Sequence, residues 1–316
     1  MAVQPTALAR VRAYTLSPVA FARVAYATLA MLWLIVATGA AVRLTDSGLG
    51  CRHWPGCEAG HPLPAKDAHA FVEFGNRLVG GVTIALALVA WLAARRTPGL
   101  PTHVTRLALA VFLGTLAQAP LGLLAVASDL RWPVVAAHLL LSMLLIAGAV
   151  ALVLEARGFQ DGHAPPFLPR DLRRLAVVFT GAGLVLVVSG SLATAAGPHS
   201  GGGEEAVKRF ARLEPTVYAH AAVVGVFLCA FLFSLGYLAA RRDRSPRLFR
   251  AALAVLALLL VQMGVGEIQW RTHLPWGVVL AHVALAAAVW AGTVALAVLI
   301  WRPLRSFAPN VGWTDG

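Results

Sequence analysis

Charge is what this sequence has least of. Charged side chains make up 13% of the 316 residues against 59% apolar ones, and mean hydropathy is +0.75. That is too little charge to cover a water-facing surface of this size. It excludes an ordinary soluble domain and places the chain in a bilayer. Acids are scarcer still, 14 against 26 bases, and lysine is nearly absent, since 24 of the 26 are arginine. A net charge of +12 would suit nucleic acid, but the bases fall in short clusters between apolar runs, the pattern of positive-inside loops. No nucleic-acid partner is expected. Three cysteines allow at most one intramolecular disulfide. The first apolar run is long enough to span and lacks a small-residue cleavage site, so no cleavable signal peptide is expected.

What the chain does have is long apolar runs. Crossing a ~30 Å hydrocarbon core takes about 20 residues. Eight runs qualify, near 21–42, 69–94, 104–127, 133–155, 174–196, 215–240, 251–270 and 275–300. Spans must be helical, because lipid offers backbone groups no partner. One set of loops holds Arg10, Arg12, Arg23, Arg95, Arg96, Arg106, Arg157, Arg170, Arg173, Arg174, Arg241, Arg242, Arg244, Arg247, Arg250, Arg302 and Arg305, seventeen bases. The other holds eight: Arg43, Arg52, Lys66, Arg131, Lys208, Arg209, Arg212 and Arg271. Both termini are therefore expected on the cytoplasmic side of the cell membrane. The longest outward loops are 43–68 and 197–214.

The two halves repeat. A shift of 144 takes Gln118 to Gln262, Gly122 to Gly266, His138 to His282, Phe74 to Tyr218, Gly81 to Gly225 and Asn76 to His220. Upstream the offset becomes 151, matching Gly39 to Gly190. The expected fold is an all-α integral membrane protein of eight transmembrane helices in two tandem, pseudo-symmetric four-helix bundles. Their ranges are 21–155 and 174–300, with a segment 1–20, a linker 156–173 and a tail 301–316 on the cytoplasmic side. An even number of spans in each unit makes the repeat parallel.

His138, His220, His282 and Asn76 fall at similar depth, about 7–11 Å below the outer surface, on the fourth, sixth, eighth and second spans. Polar side chains inside spans face the bundle interior and mark sites. Two histidines from neighbouring helices can hold a haem, and His220 with His282 fits a six-coordinate one. The plainer alternative is that each imidazole packs at a helix interface on a backbone carbonyl. The first half differs: Asn76 is a poor iron ligand, and Glu73 and Arg77 share its helix face. Glu73 is read either as half of an ion pair or as a general base beside a haem-sized ligand. Cys51 and Cys57, with five residues between them on the outer side, suit a disulfide, either a staple or a thiol-exchange pair. With only His53 nearby they make a weak zinc site. Cys229 is read as inert packing inside the sixth span, and His103 and His163 as solvated on the cytoplasmic side. Among His53, His61, His69, His199 and His273 on the outer face, only His199 stands above background.

These residues resemble haem A synthases. Arg43-Leu-Thr-Asp-Ser-Gly-Leu-Gly-Cys51-Arg-His-Trp-Pro-Gly-Cys57 resembles that family's first outer-loop motif, Glu73-Phe-Gly-Asn-Arg77 its second-helix motif, and Thr194-Ala-Ala-Gly-Pro-His-Ser-Gly201 the loop after its fifth helix. The likeness covers about residues 25–300. It implies oxidation of the C8 methyl of haem O to a formyl group, by two hydroxylations and loss of water, giving haem A for terminal oxidases. It implies haem b on His220 and His282, haem O in the first half with His138 as ligand, Glu73 as the catalytic carboxylate, and a disulfide-forming pair in Cys51 and Cys57. Implied partners are a membrane haem O synthase, a haem A acceptor in cytochrome oxidase assembly and an electron donor. Many family members carry His where this chain has Asn76. Propionates are expected to point outward, towards Arg43, Arg52, Arg131 or Arg271. Two other functions compete. A bis-histidine electron carrier would need two equivalent ligand pairs, which Asn76 breaks. A haem or quinone transporter would need a polar path to the inner face.

Overall fold

A computed structural model describes residues 15–308 apart from 52, 54–55, 59, 61–62, 65–66, 166–167, 203–208 and 244. Arg10, Arg12, Arg52, His61, Lys66, Lys208 and Arg244 lie outside the described residues, as do most of the N-terminal segment and the end of the tail. The described chain is helical, with eight helices long and apolar enough to cross a membrane. They are α1 Pro18–Leu44, α2 Ala68–Arg96, α3 Thr102–Ala127, α4 Trp132–Asp161, α5 Arg170–Ala196, α6 Leu213–Ala239, α7 Pro246–Arg271 and α8 Trp276–Trp301. A short 3-10 turn, Arg305–Phe307, follows. The starts obey capping chemistry. Ser17 Oγ accepts the Ala20 amide with Pro18 behind it, and Asp67 accepts the Ala70 amide at 3.1 Å. Large apolar side chains such as Val177, Val226, Phe233 and Leu260 stay exposed, as a lipid-facing surface requires.

Packing closes two rings. α1 touches α2 and α4, and α3 touches α2 and α4; in the same way α5 touches α6 and α8, and α7 touches α6 and α8. The rings meet through α4 against α8, flanked by α1–α8 and α4–α5, so the interface is itself two-fold. Its core includes Leu32, Val36, Met143, Ile146, Ala149, Ala287 and Trp290. Two indoles fasten it: Trp290 Nε1 donates to the Met143 carbonyl at 2.8 Å and Trp33 Nε1 to the Ala284 carbonyl at 2.9 Å. In lipid, such packing and interhelical bonds hold helices together in place of a hydrophobic drive.

The duplication reaches the backbone. Asp129 and Leu130 have φ of 51° and 55°; 144 residues on, His273 and Leu274 have 61° and 62°. Each pair ends one helix and sets the next, Leu130 N bonding Ala125 O and Leu274 N bonding Gln269 O, both at 2.8 Å. Left-handed conformations cost non-glycine residues about 1–2 kcal/mol each. Their recurrence in both outer turns shows that the turn geometry positions α4 and α8, the helices that carry His138 and His282.

At the end of the bundle where the N-terminal segment, linker and tail lie, His103 and His163 are not simply solvated. Both face Glu155, at 3.2 and 3.5 Å, and Arg302 joins at 3.2 Å. The linker pairs with the tail: Ala164 N donates to Pro303 O and Arg305 N to Gly162 O. His163 packs so closely on Gly158 that a side chain there would collide with it. Cys229 is on α6 as expected, but exposed on its outer surface and not packed inside.

Candidate functional site

The four equivalent polar positions lie near the ends of the rings remote from the linker and tail. Each has a glycine opposite. A Cβ at Gly190 would lie 3.2 Å from the His220 ring and one at Gly266 3.0 Å from His282; at Gly122 the distance to His138 is 3.6 Å, and at Gly39 it is 3.9 Å to Asn76. The second ring is therefore tight around its imidazoles and the first is roomier. Hydroxyls match too. Ser189 Oγ bonds His220 Nδ1 at 2.9 Å, and Thr38, 151 residues earlier, donates to Asn76 Oδ1 at 2.8 Å.

Glutamines complete the symmetry. Gln118 Nε2 donates to the His138 carbonyl at 3.2 Å and to Ser142 Oγ at 2.7 Å. Gln262 Nε2 donates to the His282 carbonyl and approaches its ring Nε2, both at 3.1 Å. His138 Nδ1 and His282 Nδ1 are buried without a hydrogen-bond partner. Buried polar atoms are nearly always satisfied. An unpaired imidazole nitrogen in each ring is what a site for an imidazole-binding group requires. His220 fits the same purpose, since Ser189 engages one ring nitrogen and leaves the other for a ligand. Among the described residues, no group of three or more His, Cys, Asp or Glu is placed to hold a bare metal ion. The donor set is two imidazoles in one ring and one in the other, which suits a haem that brings four nitrogens of its own.

Glu73 and Arg77 occupy the outer rim of the first ring. Glu73 is buried; Oε1 is paired with Arg77 Nη2, and Oε2 accepts the Cys51 amide at 2.7 Å. Arg77 also donates to the carbonyls of His53 and Gly56, both at 2.6 Å, and reaches that of Cys51 at 3.4 Å. The pair thus seats the Cys51–Cys57 loop on α2. Cys51 and Cys57 are disulfide-bonded, with Cα atoms 4.3 Å apart, and both are buried against Ala70 and Phe74. That burial favours the staple over the thiol-exchange reading. Gly50 is needed here, because a Cβ would meet the His69 and Ala70 backbone at 2.7–2.8 Å.

The outer histidines serve the loops. His69 Nδ1 meets buried Ser47 Oγ at 3.0 Å, and His199 Nε2 meets the Leu274 carbonyl at 2.9 Å, bracing the left-handed turn before α8. Of the outward arginines, Arg131 is exposed and Arg271 pairs with exposed Glu267. Arg43 instead crosses to the other half, where Nη2 donates to Thr194 O at 2.6 Å, at the C-terminal end of α5. The sequence reading missed the roles of Thr38 and Ser189. The 151-residue offset that matched Gly39 to Gly190 would have found them.

Helix number, duplication and interior imidazoles define a polytopic membrane protein built of two related four-helix rings. A family model described as COX15-CtaA, cytochrome oxidase assembly protein, matches residues 22–294. The chain belongs to that family. A heme A synthase from Shewanella oneidensis is 27% identical over 325 residues, covering 88% of this chain and 96% of its own. One from Geobacillus thermodenitrificans is 26% identical over 304 residues, covering 90% and 92%. A protoheme IX farnesyltransferase from Thermus thermophilus is 30% identical over 288 residues, 84% of this chain but 46% of that longer protein.

Proposed function

We propose that the protein is an oxidoreductase that converts haem O to haem A, oxidising the C8 methyl to a formyl group by successive hydroxylations. The observation that carries this reading is the asymmetry between two like rings. Each has an unpaired buried imidazole nitrogen, on His138 and His282, but only the second has a further imidazole, His220, where the first has Asn76. In the C-terminal unit, 174–300, His220 and His282 would hold a haem b, which would supply electron transfer. The N-terminal unit, 21–155, receives haem O on His138. Asn76, held by Thr38, would offer the substrate no second strong iron ligand from this ring. The wider spacing at Gly122 and Gly39 supports a ring that admits and releases its ligand.

Glu73 is the carboxylate we assign to the reaction. It lies one turn outward of Asn76 on the same face of α2, and Arg77 fixes its position. Haem O comes from a membrane haem O synthase, a supply supported by the likeness to part of a longer farnesyltransferase. Haem A passes to an acceptor in oxidase assembly; the four-electron oxidation of methyl to formyl draws on an external oxidant, alongside a separate electron donor. Both termini face the cytoplasm from the cell membrane, as the arginine distribution supports. The test is expression in a bacterium with and without a haem O synthase, followed by chromatography of extracted haems. Haem A is expected only when haem O is supplied. Haem B alone, with haem O present and a bis-histidine spectrum, would instead support an electron carrier.

A further inference from the structure

Where the outer ends of the two halves meet, a cavity opens that the scheme above does not use. Arg43 from the end of α1, Trp132, Val135 and Leu139 of α4, Ser191 of α5 and Arg209 of the second outer loop line it. The free space is about 20 Å³. That accommodates a group little larger than a water molecule, and no porphyrin. The two guanidiniums share this small, largely apolar chamber. Arg43 spends Nη2 on Thr194 O, while its Nε is buried without a partner. Arg209 donates to the carbonyl of Pro198. The carboxylate acting on Arg43 is that of Asp46, which also accepts the Gly201 amide at 3.1 Å. Among the described residues, two cations face one acid, which leaves positive charge in excess. A buried cation left unmatched costs several kcal/mol, and charges at membrane depth are found paired.

The chamber therefore calls for one small anion. A carboxylate matches the flat guanidinium fork and can accept from Nε directly. Its position shows where such a group would come from. Arg43 lies one helical turn outward of Gly39, the residue that faces Asn76 inside the first ring. Val135 and Leu139 flank His138 on α4.

We propose that this cavity is a carboxylate site, and that it takes a propionate of the haem seated in the N-terminal ring, with Arg43 as the residue that recognises it. The proposal rests on the haem reading given above. It makes Arg43 a residue that discriminates a haem with free propionates from one with esterified propionates.

The full chain, in nanodiscs and as isolated, is titrated with ferric protoporphyrin IX and with its dimethyl ester, followed in the Soret region. Wild type is expected to prefer the free acid by about tenfold or more, the factor that one charge-assisted hydrogen bond supplies. Arg43→Gln, which can still donate to Thr194 O, is expected to bind both porphyrins alike, and Arg43→Lys to restore part of the preference. A second arm follows thermal unfolding with sodium acetate and no added haem. Equal affinities in wild type, with acetate stabilisation lost in Arg43→Gln, would overturn the propionate and leave a site for a free small anion. Equal affinities with no acetate effect would overturn the carboxylate site altogether. If neither porphyrin binds, the haem reading and its propionate fail together, and the acetate arm alone decides whether the cavity takes a carboxylate.

Discussion

At the scale of single residues, the outer third of the protein separates groups that hold a ligand from groups that hold the fold. Glu73 sits on the boundary, since both its oxygens already bind the chain. Replacing it with Ala is expected to abolish haem A formation while leaving the haem b absorption spectrum intact. Equal loss of both would make Glu73 purely a seat for the Cys51–Cys57 loop. The glycines facing the imidazoles give a sharper contrast. Gly266→Ala puts a Cβ 3.0 Å from His282, a tight contact that obliges the ring to shift, whereas Gly122→Ala gives an ordinary 3.6 Å contact with His138. The first is expected to deplete the low-spin haem signal of the isolated protein, and the second to leave it unchanged.

At the scale of elements, the outer loop after α1 is a small stapled unit carried by one helix. Closing so short a loop by a disulfide is worth about 2 kcal/mol on the chain-entropy view. Cys51→Ser with Cys57→Ser is expected to lower the melting temperature by several degrees. Because both sulfurs are buried, thiol-reactive probes under mild reduction are expected to label the pair only after unfolding. The helices themselves were legible from apolar run length, and their ends agree with the observed ones within a few residues at most boundaries. The repeat was legible because glutamine, glycine and histidine recur at one offset. The left-handed turns at 129–130 and 273–274 were not, since Asp-Leu and His-Leu carry no glycine to announce a positive φ.

At the scale of the whole molecule, what the sequence concealed was long-range. His103, Glu155, His163 and Arg302 come from two helices, the linker and the residue after α8, and nothing local to any of them shows that they meet. Arg43 and Thr194 are 151 residues apart, and only the folded interface brings them together. The Glu155 cluster ties α3, α4, the linker and the end of α8 on the inner side. Glu155→Ala leaves Arg302 and two histidines without their shared acceptor, and a loss of about 2 kcal/mol is expected, read as a fall in melting temperature with haem content retained.

The pairing of the linker with the tail has a consequence for the continuity of the polypeptide. Residues 162–164 are held by 303–305, and the ring interface is fastened by Trp33 and Trp290, so these contacts between the halves do not depend on the peptide bonds after residue 165. Two separately translated pieces, 1–165 and 166–316, are expected to associate in the membrane and co-purify through a tag on either one. Failure to co-purify would mean that the covalent join itself directs assembly. In that light the molecule is a dimer of similar subunits whose connecting thread serves mainly to fix their ratio at one to one.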